Sequence, residues 1–222
     1  QTGLKEFQLS IGEVEYFKGL CEEAGLSTET AEDLRELISG KNLFGAEELL
    51  KERNVCIEER ERLLKVSDFF GAVEILDEAE NQVHNETSKQ AVLHLKKLYE
   101  VLKAYGVEKY ISFDLGMLSK YQYYTGIIFQ AYTYGTGEPM IKGGRYNGLM
   151  KHFGKPAASI GFAIEVDNLL LALSSQKLLS EKEEKPEVIE YEPQDRAQAI
   201  KEAQKLRAEG KCVALRLKKE VR

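Results

Sequence analysis

Three short blocks in the second half of the chain decide its fold. They read Tyr123-Tyr124-Thr125-Gly126, then Gly143-Gly144-Arg145-Tyr146-Asn147-Gly148, and then Ser159-Ile160-Gly161-Phe162-Ala163-Ile164. Residues 125–134, which begin within the first block, are rich in β-branched and aromatic side chains, as is typical of a strand. The turn-forming residues 135–139 then lead to Met140 and Ile141, which predicts an antiparallel hairpin. The third block runs into an apolar helix, so the sequence predicts an α+β fold with an antiparallel sheet.

The stretch before these blocks has a different pattern. From residue 13 to 106, helix-favouring residues dominate, no proline occurs, and apolar residues recur every three or four positions. Gly25 should end a first helix, and Ser27 or Thr28 should cap a second. Gly45 and Ala46 should separate later pieces, and residues 84–88 should introduce a long helix that ends near Gly106. We expect a helical insertion with a small core of its own.

The remaining segments complete a predicted division of the chain. Residues 5–11 alternate polar and apolar side chains up to Gly12 and predict a strand. Residues 1–12 and 107–173 are therefore assigned to a partial sheet domain, residues 13–106 to the helical insertion, and residues 174–186 to a charged linker. Residues 187–222 should form a β-α-β piece that opens a small α/β domain. Because the chain starts with Gln and runs directly into a strand, we expect a fragment that lacks an N-terminal part.

Composition excludes several classes of function. The net charge is −6, which disfavours binding to nucleic acid, and the basic residues near the end are interpreted as a solvated terminus. No apolar run is long enough to span a bilayer. Cys21, Cys56 and Cys212 are too far apart for a Cys-x-x-Cys site, which suits free thiols in a cytoplasmic protein. The three histidines have no metal-ligand spacing, and we predict neither a metal nor a cofactor.

The individual motifs leave two interpretations open. A tyrosine entering a strand can present its ring and hydroxyl to a small polar ligand, or it can simply be a favoured strand residue. Arg145 after two glycines can bind a carboxylate or phosphate, or it can pair with a surface carboxylate such as Glu138. Asp114-Leu115-Gly116 is interpreted as a turn at a strand end, and Glu13 and Glu15 as part of a solvated face.

Taken together, the order and spacing of the blocks resemble the catalytic core of histidyl-tRNA synthetase, a class II synthetase fold. The opening segment from Phe7 to Leu20 resembles the strand and helix that precede the helical insertion in that family. The resemblance covers residues 4 to about 173. It implies that Tyr124 and Tyr146 line a histidine-like pocket, with Tyr123 and Arg145 close by. The family's first two motifs would lie before Gln1, so this chain would hold only half of the site.

The departures from the synthetase pattern are as informative as the matches. Where the synthetases have Arg-Gly-Leu-Asp before Tyr-Tyr, this chain reads Ser119-Lys120-Tyr121-Gln122. The arginine that ends the last class II motif is replaced by Asn168. Losing both guanidinium groups would remove the charge stabilisation on which adenylate formation depends. The sequence therefore predicts no catalytic residue of its own.

A chain without these arginines resembles the regulatory subunit of ATP phosphoribosyltransferase, which is a synthetase-like family. Members of that family commonly have Asp-Leu-Gly before the tyrosine strand, as this chain does at Asp114-Leu115-Gly116. The resemblance implies histidine biosynthesis in the cytoplasm, a short catalytic subunit as partner, L-histidine as an effector, and self-association of the full-length protein. Two alternatives stay open: a divergent histidyl-tRNA synthetase fragment, and a binding module detached from both roles.

Overall fold

The computed structural model describes residues 3–119, 123–149, 151, 154–179 and 186–218. The chain forms two compact units, Gln1–Leu178 and Leu179–Arg222, and each is described here by itself.

The first unit is built on a six-stranded sheet. Its strands lie in the order β2-β3-β1-β4-β5-β6. Every neighbouring pair is antiparallel except β1 and β3, which run parallel. The predicted hairpin is confirmed as β4 and β5, and the α+β class with a largely antiparallel sheet is confirmed as well. The strands are β1 (Gln8–Glu13), β2 (Phe70–Gly71), β3 (Ile111–Asp114), β4 (Ile127–Tyr132), β5 (Ile141–Arg145) and β6 (Ile160–Ile164).

Seven α-helices in the described part of this unit accompany the sheet, and six of them lie between β1 and β3. Polar caps define several helix starts, as the sequence predicts. Ser27 Oγ accepts a hydrogen bond from the Thr30 amide at 3.2 Å, and Asn85 Oδ1 accepts one from the Ser88 amide at 2.7 Å. The helices are α1 (Val14–Glu23), α2 (Thr28–Ser39), α3 (Leu43–Glu52), α4 (Ile57–Lys65), α5 (Ile75–Asn81), α6 (Glu86–Ala104) and α7 (Val166–Ser175).

The break predicted at Gly45 and Ala46 is wrong. Both residues lie inside α3, which begins one residue after its cap Asn42. The Asn42 side chain accepts a hydrogen bond from the Gly45 amide at 3.0 Å, so Gly45 satisfies the helix start rather than ending a helix. Ala46 is fully buried in the core.

The helical segment and the sheet share one hydrophobic core. Buried residues of β1 and β3, including Ile11 and Phe113, belong to the same cluster as Leu34, Leu50 and Leu95 of the helices. The Tyr99 ring of α6 packs edge-on against Phe113, with ring centroids 6.1 Å apart. The segment between β1 and β3 therefore does not bury a separate core, because its helices cover one face of the sheet.

The opposite end of the sheet is less covered. β6 pairs only with β5 among the described strands, and it is the edge of the sheet. Its side chains Ile160 and Phe162 are 65% and 63% exposed. Apolar surface remains accessible to solvent at this edge in the described residues.

The second unit is the β-α-β piece that the sequence predicts. β7 (Glu187–Tyr191) pairs in parallel with β8 (Val213–Leu217), and α8 (Arg196–Ala208) connects them. Small side chains of α8, Ala199 and Ala203, are buried against the strands. This confirms the predicted topology of the piece.

Candidate functional site

The register of the strands divides the site residues between two faces of the sheet. Gly12, Ile128, Gly144 and Gly161 lie opposite one another across four strands, so they share one face. Residues next to them, such as Glu13 and Arg145, point to the other face. We call the first the tyrosine face and the second the helix face, because α6 packs on it.

Three of the four predicted pocket residues come together on the tyrosine face. The Tyr124 ring lies directly over Gly144, where a Cβ would be 2.5 Å from the ring carbon Cε1. The Tyr146 hydroxyl lies over Gly161 in the same way, at 2.7 Å from the position of a Cβ. The Tyr123 ring is 4.6 Å from that of Tyr124 and 6.1 Å from that of Tyr146, measured between centroids. The glycines therefore create the space that the tyrosine rings occupy.

Backbone hydrogen bonds fix the segments that carry these tyrosines. The Thr125 amide donates to the Arg145 carbonyl at 2.8 Å, and the Tyr146 amide donates to the Ser159 carbonyl at 2.8 Å. The Thr125 hydroxyl accepts from the Asn147 amide at 2.9 Å, and the Asn147 side chain accepts from the Ser159 amide at 2.9 Å. All three sequence blocks are thus joined in one network, which holds the tyrosine cluster in place.

Arg145, the fourth predicted pocket residue, lies on the helix face. Its side chain approaches Gly126, where a Cβ would lie 3.3 Å from Arg145 Cδ. Within the described residues Arg145 makes no ion pair, with Glu138 or with any other carboxylate. The structure therefore separates Arg145 from the tyrosines, since consecutive strand residues point to opposite faces.

Glu13 is not part of a solvated face, and that interpretation is corrected here. Its side chain is only 2% exposed, and its Oε2 lies 2.9 Å from Nδ1 of the His94 ring on α6. Burial raises the pKa of Glu13, and the hydrogen bond and charge of His94 oppose that rise. The error arose because the predicted strand ended at Gly12, whereas β1 continues to Glu13. If the strand is extended by one residue, from Gly12 to Glu13, Glu13 falls on the same face as Leu9 and Ile11, which is the buried face.

Two cavities of about 440 Å³ each flank these residues. The first lies between α1, α2 and the segment before β4, and Tyr124 and Thr125 form part of its wall. Cys21 is another of its lining residues, and burial raises the pKa of that thiol to about 12, so the thiol is a poor nucleophile near neutral pH. The second lies on the helix face, between α6 and the strand ends that carry Glu13 and Arg145.

Of the positions that depart from the synthetase pattern, Asn168 makes a hydrogen bond within the fold. The Asn168 side chain, in the first turn of α7, donates a hydrogen bond to the Pro139 carbonyl at 3.3 Å. Lys120, Tyr121 and Gln122 lie outside the described residues, as does His152. Asp114 ends β3, and Met117 donates its amide to the Asp114 carbonyl at 3.3 Å, which confirms the predicted turn.

The described residues contain no cluster of three His, Cys, Asp or Glu side chains arranged to hold a metal ion. Among the helices described, none has the length and apolar character needed to cross a membrane.

Comparison with known proteins identifies the family of this arrangement. Residues 1–169 match the family model described as histidyl-tRNA synthetase. The chain is 40% identical over 212 residues to a protein of Acetivibrio thermocellus named ATP phosphoribosyltransferase regulatory subunit, a match that covers 96% of this chain and 51% of that protein. A protein of the same name from Ruminiclostridium cellulolyticum is 37% identical, with 93% and 49% covered. The chain spans about half the length of the curated relatives it matches.

Solved structures agree with this assignment. A crystal structure from Bacillus halodurans, described as an ATP phosphoribosyltransferase regulatory subunit/histidyl-tRNA synthetase, superposes with a TM-score of 0.72 at 33% identity, covering 97% of this chain and 55% of that one. Histidyl-tRNA synthetase from Nostoc has a TM-score of 0.68 at 18% identity over 99% of this chain and 54% of its own, which shows a common class II synthetase fold. The chain therefore belongs to the histidyl-tRNA synthetase family and is similar, within it, to the ATP phosphoribosyltransferase regulatory subunits.

Proposed function

We propose that this chain is part of a non-catalytic regulatory subunit of ATP phosphoribosyltransferase, the enzyme of the first step of histidine biosynthesis. In this proposal the full-length protein self-associates in the cytoplasm, activates a short catalytic subunit and transmits feedback by L-histidine. The observation that carries the proposal is the tyrosine cluster, which is present although the arginines expected beside it are absent. The names of the relatives at 36–41% identity support the same role.

The chemistry of the tyrosine face suits an imidazole ligand. A tyrosine ring offers an apolar face for stacking, and its hydroxyl can donate or accept a hydrogen bond. Tyr146 and Tyr124 each cover a glycine, so their rings have little freedom to move, which lowers the entropy lost on binding. We propose that Tyr123, Tyr124 and Tyr146 form one wall of a histidine pocket. Arg145, on the other face, is left out of this wall.

The residues at the positions of the lost arginines support a non-catalytic role. A serine and an asparagine, Ser119 and Asn168, cannot supply the fixed positive charge that a developing phosphoryl charge requires. The Asn168 amide is also engaged with the Pro139 carbonyl, within the fold. Ligand and partner would then act by biasing one conformational equilibrium, which makes their effects on each other reciprocal.

The test is to titrate the full-length protein into the isolated short catalytic subunit and to follow formation of phosphoribosyl-ATP. We expect activity to rise and saturate, and L-histidine to lower it. The Tyr146→Phe variant should keep the activation and weaken the response to histidine, because only the hydroxyl is removed. Tyr134→Phe, at a position that is 85% exposed, is the matched control. No gain in activity at saturating regulatory protein would refute the proposal.

The second candidate is a divergent histidyl-tRNA synthetase fragment, which the family model favours. Histidine-dependent pyrophosphate exchange by the full-length protein distinguishes the two. Exchange well above the background of a Tyr124→Ala variant would establish the synthetase.

A further inference from the structure

A charged cavity lies on the helix face, on the side of the sheet away from the tyrosines. Its volume is about 440 Å³, and α6 and the ends of β1 and β5 form its walls. The charged or titratable side chains that line it are Glu13, Glu15, His94, Lys97 and Arg145. The proposed histidine pocket uses none of them.

Glu13 contributes a carboxylate oxygen with no partner. Its Oε2 is hydrogen-bonded to His94, whereas the buried Oε1 has no hydrogen bond to any described residue. A buried polar atom left without a hydrogen bond destabilises the fold, and more strongly when it is charged. Such an atom inside a cavity is a ready acceptor for a donor that comes from outside the protein.

Arg145 faces the same space from across Gly126. A Cβ on residue 126 would lie 3.3 Å from Arg145 Cδ and 3.4 Å from Glu13 Oε1. The glycine therefore leaves open the space between an unpartnered carboxylate oxygen and a guanidinium side chain. Lys97, three residues after His94 on α6, adds a second cation with no ion pair among the described residues.

The charges of the lining select the class of ligand. Glu15 is already paired with Lys18 at 3.0 Å, so the free groups are the Glu13 oxygen and the cations of Arg145 and Lys97. A simple anion would leave Glu13 Oε1 unsatisfied, and a simple cation would be repelled by the two positive side chains. A molecule with both charges satisfies all three groups.

We propose that this cavity is a second ligand site, which takes a small zwitterion with a protonated amine at one end and an oxyanion at the other. The amine donates a hydrogen bond to Glu13 Oε1, and the oxyanion binds Arg145 and Lys97. The site is independent of the tyrosine pocket and of any role with a catalytic subunit.

The experiment is isothermal titration calorimetry on the 222-residue chain with two sets of probes. One set is the standard L-amino acids other than histidine, whose oxyanion is a carboxylate, and the other is O-phosphoethanolamine, whose oxyanion is a phosphate. For each probe that binds, the titration is repeated with the analogue that lacks the amine. We expect at least one zwitterion to bind and its deaminated analogue to bind roughly tenfold to hundredfold more weakly, the size expected for a charge-assisted hydrogen bond.

Two variants test the geometry. Glu13→Gln removes the charge and keeps the shape, and Gly126→Ala places a methyl group between Glu13 and Arg145 without removing either charge. Both should weaken the zwitterion roughly tenfold or more, whereas Glu100→Gln, at an exposed position of α6, should bind it as the unaltered chain does. Circular dichroism identifies a variant that fails to fold, in which case Arg145→Gln replaces it.

Three results would overturn the proposal. They are an absence of binding by every probe, an equal affinity for the deaminated analogue, and unchanged binding in the Glu13 and Gly126 variants. A ligand lost in Tyr146→Phe and kept in Glu13→Gln belongs to the tyrosine face, and it also counts against a second site. None of these results depends on activation of the catalytic subunit, so this proposal and the proposed function can fail separately.

Discussion

Among single residues, Glu13 combines a buried carboxyl group with a hydrogen bond to a histidine ring. Burial raises the pKa of Glu13 above its ordinary value of 4.5. The His94 ring on α6 and a hydrogen bond from the Glu15 backbone oppose the rise, and the charge of Glu15 adds to it. A raised pKa means that the folded protein binds the proton more tightly than the unfolded chain does. The resulting stability is complete below pH 4.5 and is lost as the pH rises through the folded pKa.

The Glu13→Gln variant should lack this loss. We expect the unfolding free energy of the unaltered chain to fall, relative to that of the variant, as the pH rises from the ordinary carboxyl range. Urea unfolding at a series of values between about pH 4 and pH 7 measures the difference. Glu100→Gln, at an exposed position of α6, is the control. Curves for Glu13→Gln and the unaltered chain that stay parallel would contradict the prediction.

Gly144 is the residue on which the tyrosine cluster depends most directly. A Cβ there would lie 2.5 Å and 2.7 Å from two carbons of the Tyr124 ring and 2.9 Å from the Ile127 carbonyl oxygen. We expect Gly144→Ala to lower the free energy of unfolding by about 1–3 kcal/mol, because a rigid ring and the backbone must both move.

Gly148→Ala is the matched control for that substitution, since within the part of the chain that the structure describes its Cβ would meet only Thr125 Cγ2, at 3.4 Å. Thermal unfolding compares the two variants, and tyrosine fluorescence reports on the ring cluster. Equal stabilities would show that the Tyr124 ring does not require the glycine.

At the scale of elements, α6 is held at its start by one asparagine with two roles. Asn85 Oδ1 caps the helix by accepting from the Ser88 amide, and Asn85 Nδ2 donates to Glu23 Oε2 at 2.8 Å. Burial alone would raise the pKa of Glu23, but hydrogen bonds from Asn85 and Arg62 outweigh it and lower that pKa. The cap therefore also joins α6 to the end of α1.

Asn85→Ala should consequently cost more than the loss of an ordinary cap. Asn42 caps α3 at an exposed position, and its side chain has one hydrogen bond within the described residues, which it accepts from the Gly45 amide. We expect Asn42→Ala to lower the unfolding free energy by about 1 kcal/mol and Asn85→Ala by about 2 kcal/mol. Urea titration of both variants measures the difference. An equal loss of unfolding free energy would show that the hydrogen bond between Asn85 and Glu23 does not contribute to stability.

The elements also show where a sequence pattern suffices. Caps are local, so Ser27 and the start of α6 near Asn85 follow from a few neighbouring residues. Strand ends are not local: β1 was predicted over residues 5–11, but it pairs with β4 from Gln8 to Glu13. The partner strand decides which residues of β1 are paired, and a single charged residue after a glycine looks like the start of a loop.

On the scale of the whole chain, the two units should differ in their ability to fold alone. The first has a continuous core that extends from β1 to α6. The second has two paired strands and one helix, and its buried apolar residues in the described part of the chain are Ala199, Ala203 and Val213. Two strands with so little apolar cover are marginal in water. We expect a chain that ends at Leu178 to unfold cooperatively, and residues 186–218 alone to show no cooperative thermal transition by circular dichroism. A cooperative transition in the short piece would contradict this prediction.

The sequence predicts the class of fold and the proximity of the three tyrosines, because both predictions depend only on the order and spacing of motifs along the chain. The division of the site between two faces required the registry of strands that are distant in the chain. Tyr146 and Arg145 are neighbours in sequence, yet only strand alternation shows that they serve opposite faces. The association of Glu13 with His94 spans 81 residues, and no local pattern indicates it.

The parallel pairing of β1 with β3 has a consequence for the order of events during synthesis. The hydroxyls of Ser10 and Ser112, on these two strands, are 2.9 Å apart although the residues are separated by 102 positions. After β1 has emerged from the ribosome, the whole helical segment must therefore be translated before β3, its parallel partner strand, exists. The nascent helices can form turn by turn in the meantime, but the closure of such a long loop postpones assembly of the sheet. Until then β1 remains available to a chaperone, because Ile11 and Glu13, which are buried in the folded protein, are still exposed.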